Sequence, residues 1–195
     1  MEYVCALENR DNRARGEQVL LILRELGLKP VVQPCPWPRI RNIIVDLSPP
    51  APKPVLFSAH YDAVRGSPGA NDNASGAAVL LGLCRELRSV CLPVRIVFFD
   101  REEAWLRTPW FRLGLLGSLY YVWRSAPQDI TAVFNLEFCG RGEFLGIWPV
   151  KNSDQTLEAV QQVEQAANRL AIPFKSAHVP WPLLTSDHLS FRWRG

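Results

Sequence analysis

No stretch of this 195-residue chain approaches the roughly 18 consecutive apolar residues that a bilayer-spanning helix requires. A membrane span is therefore not expected. The N-terminal text MEYVCALENRDNRARG also lacks the apolar run of a secretory leader. An excess of charge is missing too: the formal net charge is +3, too little to point to nucleic acid or a membrane surface as partner. Cysteines stand at 5, 35, 84, 91 and 139, an odd number with no CxxC. Free thiols in a reducing compartment are expected, and with no leader the cytoplasm follows as the location. No internal repeat, low-complexity tract or interdomain linker interrupts the text.

What is there reads as ordinary globular protein. Hydrophobic residues make up 48% and charged residues 21%, and the length suits one domain over residues 1–195 with a sizeable core. Apolar positions alternate between two periods. Residues 10–28 have Val19, Leu20, Leu23, Leu26 and Leu28 on or near one helical face. Residues 29–40 are broken by proline and read as extended. Residues 42–47 (NIIVDL), 55–59 (VLFSA), 94–99 (VRIVFF), 131–136 (TAVFNL), 144–148 (FLGIW) and 173–179 read as strands. The near-continuous apolar runs of VLFSA and VRIVFF suit strands covered on both faces. Helices are predicted over 74–88, 116–123 and 153–170, the last capped by Ser153. Strands alternating with helices imply a three-layer α/β/α domain with a central mixed, mostly parallel sheet.

Chemistry gathers where those strands end, the usual place for a site in an open α/β sheet. His60 follows VLFSA directly, and Asp62 is placed to accept a hydrogen bond from its imidazole and fix the tautomer. Asp72 lies in GANDNASG just before a helix. It fits either a helix N-cap or a carboxylate bridging two metals, and Asn71 and Asn73 beside it exceed what one cap requires. Glu102 and Glu103 follow VRIVFF and Asp100. Adjacent carboxylates repel, which is costly at a strand end unless one binds a cation. Their side chains point different ways, so one can ligate a metal while the other faces substrate; Glu103 is assigned as the ligand and Glu102 as the general base. Glu137 ends TAVFNL as a metal ligand or half of a buried ion pair, and His188 follows Asp187 in SDH. His178 has no such motif around it and stays unassigned. Imidazole and carboxylate ligands suit zinc and also accept cobalt or manganese. Five ligands, one of them bridging, with a spare carboxylate are what a two-metal hydrolase needs.

The series LFSAHYDAVRGSPGANDNASGAAVLLGLCREL, VFFDREE, GLLGS, NLEFCG and SDHLSF resembles the zinc-dependent aminopeptidases of peptidase family M28, from about Asn42 to Gly195. SPGANDNASG is its most specific piece. The resemblance implies a zinc-exopeptidase (phosphorylase/hydrolase-like) fold and a single metallopeptidase domain. It implies one zinc on His60, Asp72 and Glu137, and a second on Asp72, Glu103 and His188. Asp72 bridges, and Glu102 is the base. It also implies a cis peptide at Asp72–Asn73. The expected activity is removal of N-terminal residues from peptide or aminoacyl substrates.

Three features depart from the family pattern. Glu137 stands where the family mostly has Asp. The segment AWLRTPWFRL, with Trp105, Trp110 and Phe111, is inserted between Glu103 and Gly114 and is expected to line a substrate pocket. The text stops at Gly195, where the family continues with a strand and a helix, so a C-terminally shortened sheet is expected, with its edge either exposed or covered by a partner such as a second copy. Two rival readings share the scaffold: a single-zinc cyclotransferase of the glutaminyl cyclase type, and a catalytically inactive, truncated descendant.

Overall fold

The chain opens with two helices, α1 (Glu2–Leu7) and α2 (Asn12–Glu25). Asp11 caps α2 by accepting from the Ala14 amide at 2.8 Å, the role for which a short acidic side chain is favoured. Gly27, at φ +78, stops it, as a residue without Cβ can at little cost. This is a computed structural model that describes residues 1–36, 39–47, 53–89, 93–103, 106–107, 112–125, 129–150, 153–177 and 186–194.

Five strands form the main sheet: β1 (Val31–Cys35), β2 (Ile40–Asp46), β3 (Val55–His60), β4 (Val94–Phe99) and, fifth in spatial order, Ala132–Asn135. Between β4 and that last strand come the short strands β5 (Leu106–Arg107) and β6 (Arg112–Leu113), so Ala132–Asn135 is β7. The order is β1-β2-β4-β3-β7. The sheet is mixed. β4, β3 and β7 run parallel, whereas β2 pairs antiparallel with both β1 and β4. Within the main sheet the expected parallel character is thus confined to β4, β3 and β7.

Helices cover both faces. On one side α2 (Val19, Leu20, Leu23) and α3 (Ser75–Leu87, through Leu80, Leu81 and Cys84) pack on Ile43, Val45, Ala59, Ile96 and Phe98. On the other, α4 (Leu116–Arg124) sets Tyr121 and Val122 against Leu56, Val97 and Phe99. Ile96 and Phe98 against Val97 and Phe99 show the two-residue period that points alternate side chains to opposite faces. Burying one such leucine fully contributes about 1.5–3 kcal/mol. Strand β8 (Leu145–Ile147), helix α5 (Asp154–Arg169) and strand β9 (Phe174–Ser176) form a separate parallel βαβ unit. Ser153 caps α5 through the Thr156 amide, as its sequence predicts. The short helix α6 (His188–Arg194) brings Phe191 to the second core. Among the described residues no helix is long and apolar enough to cross a membrane. His178, Trp105, Trp110 and Phe111 lie outside the described residues.

Candidate metal centre

Parallel strands present their C-terminal ends at one edge, and there the chemistry collects. His60 is the last residue of β3, Asp100 to Glu103 follow β4, and Glu137 lies just past β7. A kinked turn over Ala70–Ala74 carries Asp72 into the same place, and its Asp72–Asn73 peptide is cis. Adjacent Gly76 is packed hard: a Cβ there would lie 2.7 Å from the Leu136 carbonyl and 2.5 Å from Asn73 Oδ1. Glycine lets α3 approach β7 this closely.

His60, Asp72 and Glu137 each offer a ligand atom within 4.8 Å of the others. Among the described residues they are the group that meets this test. His60 Nε2 stands 3.3 Å from Asp72 Oδ1, 3.4 Å from Glu137 Oε2 and 3.9 Å from Glu102 Oε2. Its other ring nitrogen, Nδ1, lies 3.1 Å from the Asp62 carbonyl and 3.3 Å from Asp62 Oδ1. Held on that side, the ring turns Nε2 toward the carboxylates, as a metal-ligating histidine requires.

Asp62 does more than its position after His60 announces. Its two carboxylate oxygens accept the backbone N–H groups of Glu102 and Glu103, each at 3.1 Å. One buried side chain therefore fixes both the histidine and the paired glutamates. Glu137 is held as firmly: Asn73 Nδ2 donates to one of its oxygens, and Asn135 Nδ2 and the Ser186 hydroxyl donate to the other. Asn73 also accepts the Gly76 amide and donates to the Leu136 carbonyl. Asn73, Asn135 and Ser186 escape sequence reasoning as orienting residues, although Asn73 and Ser186 lie inside the motifs and Asn135 opens NLEFCG.

Glu103 and His188 do not enter the three-residue group. Glu103 faces an adjoining cleft, and His188 opens α6, where burial lowers its pKa and Glu137 partly counters that. Asp187, unremarked in the sequence except as the neighbour of His188, is fully buried, and neither of its oxygens finds a hydrogen-bond partner among the described residues. Burial pushes it up to about 7, with His60 drawing it down. Burial likewise pushes Glu102 up to about 9, opposed by His60 and reinforced by Asp187 and Glu137. For His60 burial acts downward, yet Asp62, Asp72 and Glu137 outweigh it and hold the imidazole well above its ordinary value. One imidazole among five carboxylates, one of them without a partner among the described residues, is a donor set that fits a divalent cation.

An α/β/α sandwich with an imidazole–carboxylate cluster at its parallel strand ends defines a zinc-exopeptidase-type fold. The family model described as Peptidase family M28 matches residues 42–195, and the chain belongs to that family. It is 40% identical over 94 residues to aminopeptidase YwaD of Bacillus subtilis, covering 46% of this chain and 19% of that protein. It also resembles the solved structure of a zinc aminopeptidase from Bacillus subtilis, with 31% identity, a TM-score of 0.63, and coverage of 79% of this chain and 37% of the other. An Acidobacteriales bacterium glutaminyl cyclase shares the fold over 100% of this chain and 73% of its own, with a TM-score of 0.77 and 19% identity. The chain thus spans about a fifth of the length of its curated Bacillus relative.

Proposed function

We propose that the chain is a metal-dependent aminopeptidase that hydrolyses the N-terminal peptide bond of peptide or aminoacyl substrates. The observation that carries this reading is the His60–Asp72–Glu137 cluster, oriented by Asp62, Asn73, Asn135 and Ser186 at the strand ends of a family M28 chain. His60, Asp72 and Glu137 would hold one zinc, and Asp72, Glu103 and His188 a second, with Asp72 shared. When bound, such ions polarise the scissile carbonyl and lower the pKa of water.

The remaining work belongs to the protein. Glu102 lies beside the cluster, and its amide is pinned by Asp62. It takes a proton from the attacking water and returns it to the leaving amine. Asp62 keeps the His60 ring in register. The acidic edge receives the free α-amine of the substrate, which restricts cleavage to the chain end.

A second reading has one observation in its favour. The described residues gather a single three-ligand group, which suits a one-zinc cyclotransferase of the glutaminyl cyclase type. Hydrolysis of an aminoacyl-nitroanilide panel, with Glu102→Gln as control, separates the two. The aminopeptidase reading requires hydrolysis that the variant loses while keeping its metal. Turnover of N-terminal glutamine peptides without nitroanilide hydrolysis would replace it with the cyclase.

A further inference from the structure

The net charge of +3 conceals a local asymmetry beside the metal centre. A cleft of about 990 Å³ opens between the start of α2, the segment after Asp62 and the turn after β4. Its wall includes Asp62 and Glu103, so an occupant of the cleft lies against the proposed centre. Four arginines, Arg10, Arg13, Arg65 and Arg101, line the same space. They come from three separate segments that converge only in the folded chain.

The carboxylates of this wall are already engaged. Asp11 caps α2 through the Ala14 amide, Asp62 holds the Glu102 and Glu103 amides, and Glu103 belongs to the proposed site. Among the described residues none of the four guanidiniums makes an ion pair, and Arg101 Nε is buried without a hydrogen-bond partner. Arg10 spends one donor on the Ala6 carbonyl. The N-terminal end of α2, with its positive dipole, faces the cleft as well. Guanidinium is the side chain best matched to a carboxylate, through paired N–H donors.

Resting on the aminopeptidase reading, we infer that this cleft receives a carboxylate of the substrate: the site prefers peptides whose amine enters the acidic edge and whose negative group reaches the arginines. An acidic side chain and the C-terminal carboxylate of a short peptide share that chemistry.

Three matched peptide pairs tell the sources apart: Glu-Ala-amide against Gln-Ala-amide, Ala-Glu-amide against Ala-Gln-amide, and Ala-Ala against Ala-Ala-amide. Hydrolysis is measured on zinc-loaded protein, and equilibrium binding of the same peptides on Glu102→Gln. At least one pair is expected to favour its carboxylate member by about fivefold in both, the size of one well-formed exposed ion pair. The preference falls in Arg65→Gln and Arg13→Gln, persists in Arg24→Gln at the far end of α2, and shrinks in wild-type protein as salt rises. Equal handling within all three pairs, or a preference indifferent to salt and to both arginine variants, overturns the inference. Hydrolysis without preference overturns the cleft assignment alone, whereas carboxylate-selective binding without hydrolysis supports the cleft and removes the aminopeptidase reading.

Discussion

Replacing Arg15 by methionine should weaken both the fold and the metal centre. Arg15 sits in α2 with no exposed surface. Its guanidinium donates to the Pro68 carbonyl at 2.6 Å, the Gly69 carbonyl at 3.3 Å and the Tyr61 carbonyl at 3.4 Å, and Nε donates to the Arg10 carbonyl at 3.3 Å. Tyr61 directly follows His60, and Gly69 leads into the turn that carries Asp72. One side chain thus ties α2 to the two segments that position two ligands. Gly69 has φ +56, and a Cβ there would strike this guanidinium, so backbone and side chain are fitted to each other. Methionine keeps much of the stem's volume and removes every donor. A hydrogen bond from a charged donor is worth about 1.5–3 kcal/mol, and a buried carbonyl left unmatched costs about 1–3 kcal/mol. Release of the guanidinium from its desolvated site, where burial lowers its pKa, offsets part of this. The expected net loss is about 3–5 kcal/mol, in the range for breaking a buried charged network. That is a large share of the roughly 5–15 kcal/mol a domain possesses. Urea unfolding measures the loss, and zinc titration should show a decrease of about 10–100-fold in affinity, the usual effect of removing a group that orients ligands. Arg15→Lys should fall between, since ammonium keeps charge but reaches fewer carbonyls. A loss below about 1 kcal/mol, with zinc affinity unchanged, would refute this reasoning.

Other predictions follow the same geometry. Gly76→Ala drives a methyl toward the Leu136 carbonyl and should cost about 1–3 kcal/mol, read as a lower urea midpoint; wild-type stability would show that α3 can shift away. Glu102→Gln should lower kcat by about 10²–10⁴ while KM and bound metal hold, and steady-state kinetics with metal analysis checks both. Asp100 gives a pH signature. Burial, with Asp62 adding to it, pushes this carboxyl up to about 6. The folded chain therefore keeps its proton to higher pH than the unfolded chain, and stability falls as pH rises from about 4 to about 6. Asp100→Asn should match wild type near pH 4 and exceed it by up to about 3 kcal/mol above pH 6, as seen in unfolding curves at both pH values. Chelation should lower Tm of the loaded protein, and zinc should raise it in a concentration-dependent way.

The strands that carry the site were legible because they are covered on both faces. VLFSA and VRIVFF have no polar alternation to confuse a reader, and β3 and β4 lie within a residue of their predicted ends. Two local elements were harder. Helix α1 is six residues long and buries only Leu7, too little to leave a periodic pattern. β1 contains Pro34, so its text predicts only an extended segment; it is an edge strand bonded to β2 alone, where a missing N–H is tolerated. The candidate ligands stood out through residue type, His60, Glu103 and Glu137 after strands and Asp72 and His188 within the GANDNASG and SDH motifs. The residues that hold them did not, because their partners are remote in sequence: Arg15 meets Pro68, Asp62 meets Glu102, and Ser186 meets Glu137. No local pattern encodes such pairs.

Zinc titration of the purified chain by calorimetry, beside Asp72→Asn, puts the proposed metal centre to the most direct test. About two ions per chain are expected when five ligands share one bridging carboxylate, with binding at both positions impaired in Asp72→Asn because both would draw on that carboxylate. Failure of wild-type protein to bind zinc, cobalt or manganese would contradict the metal centre and the hydrolase built on it.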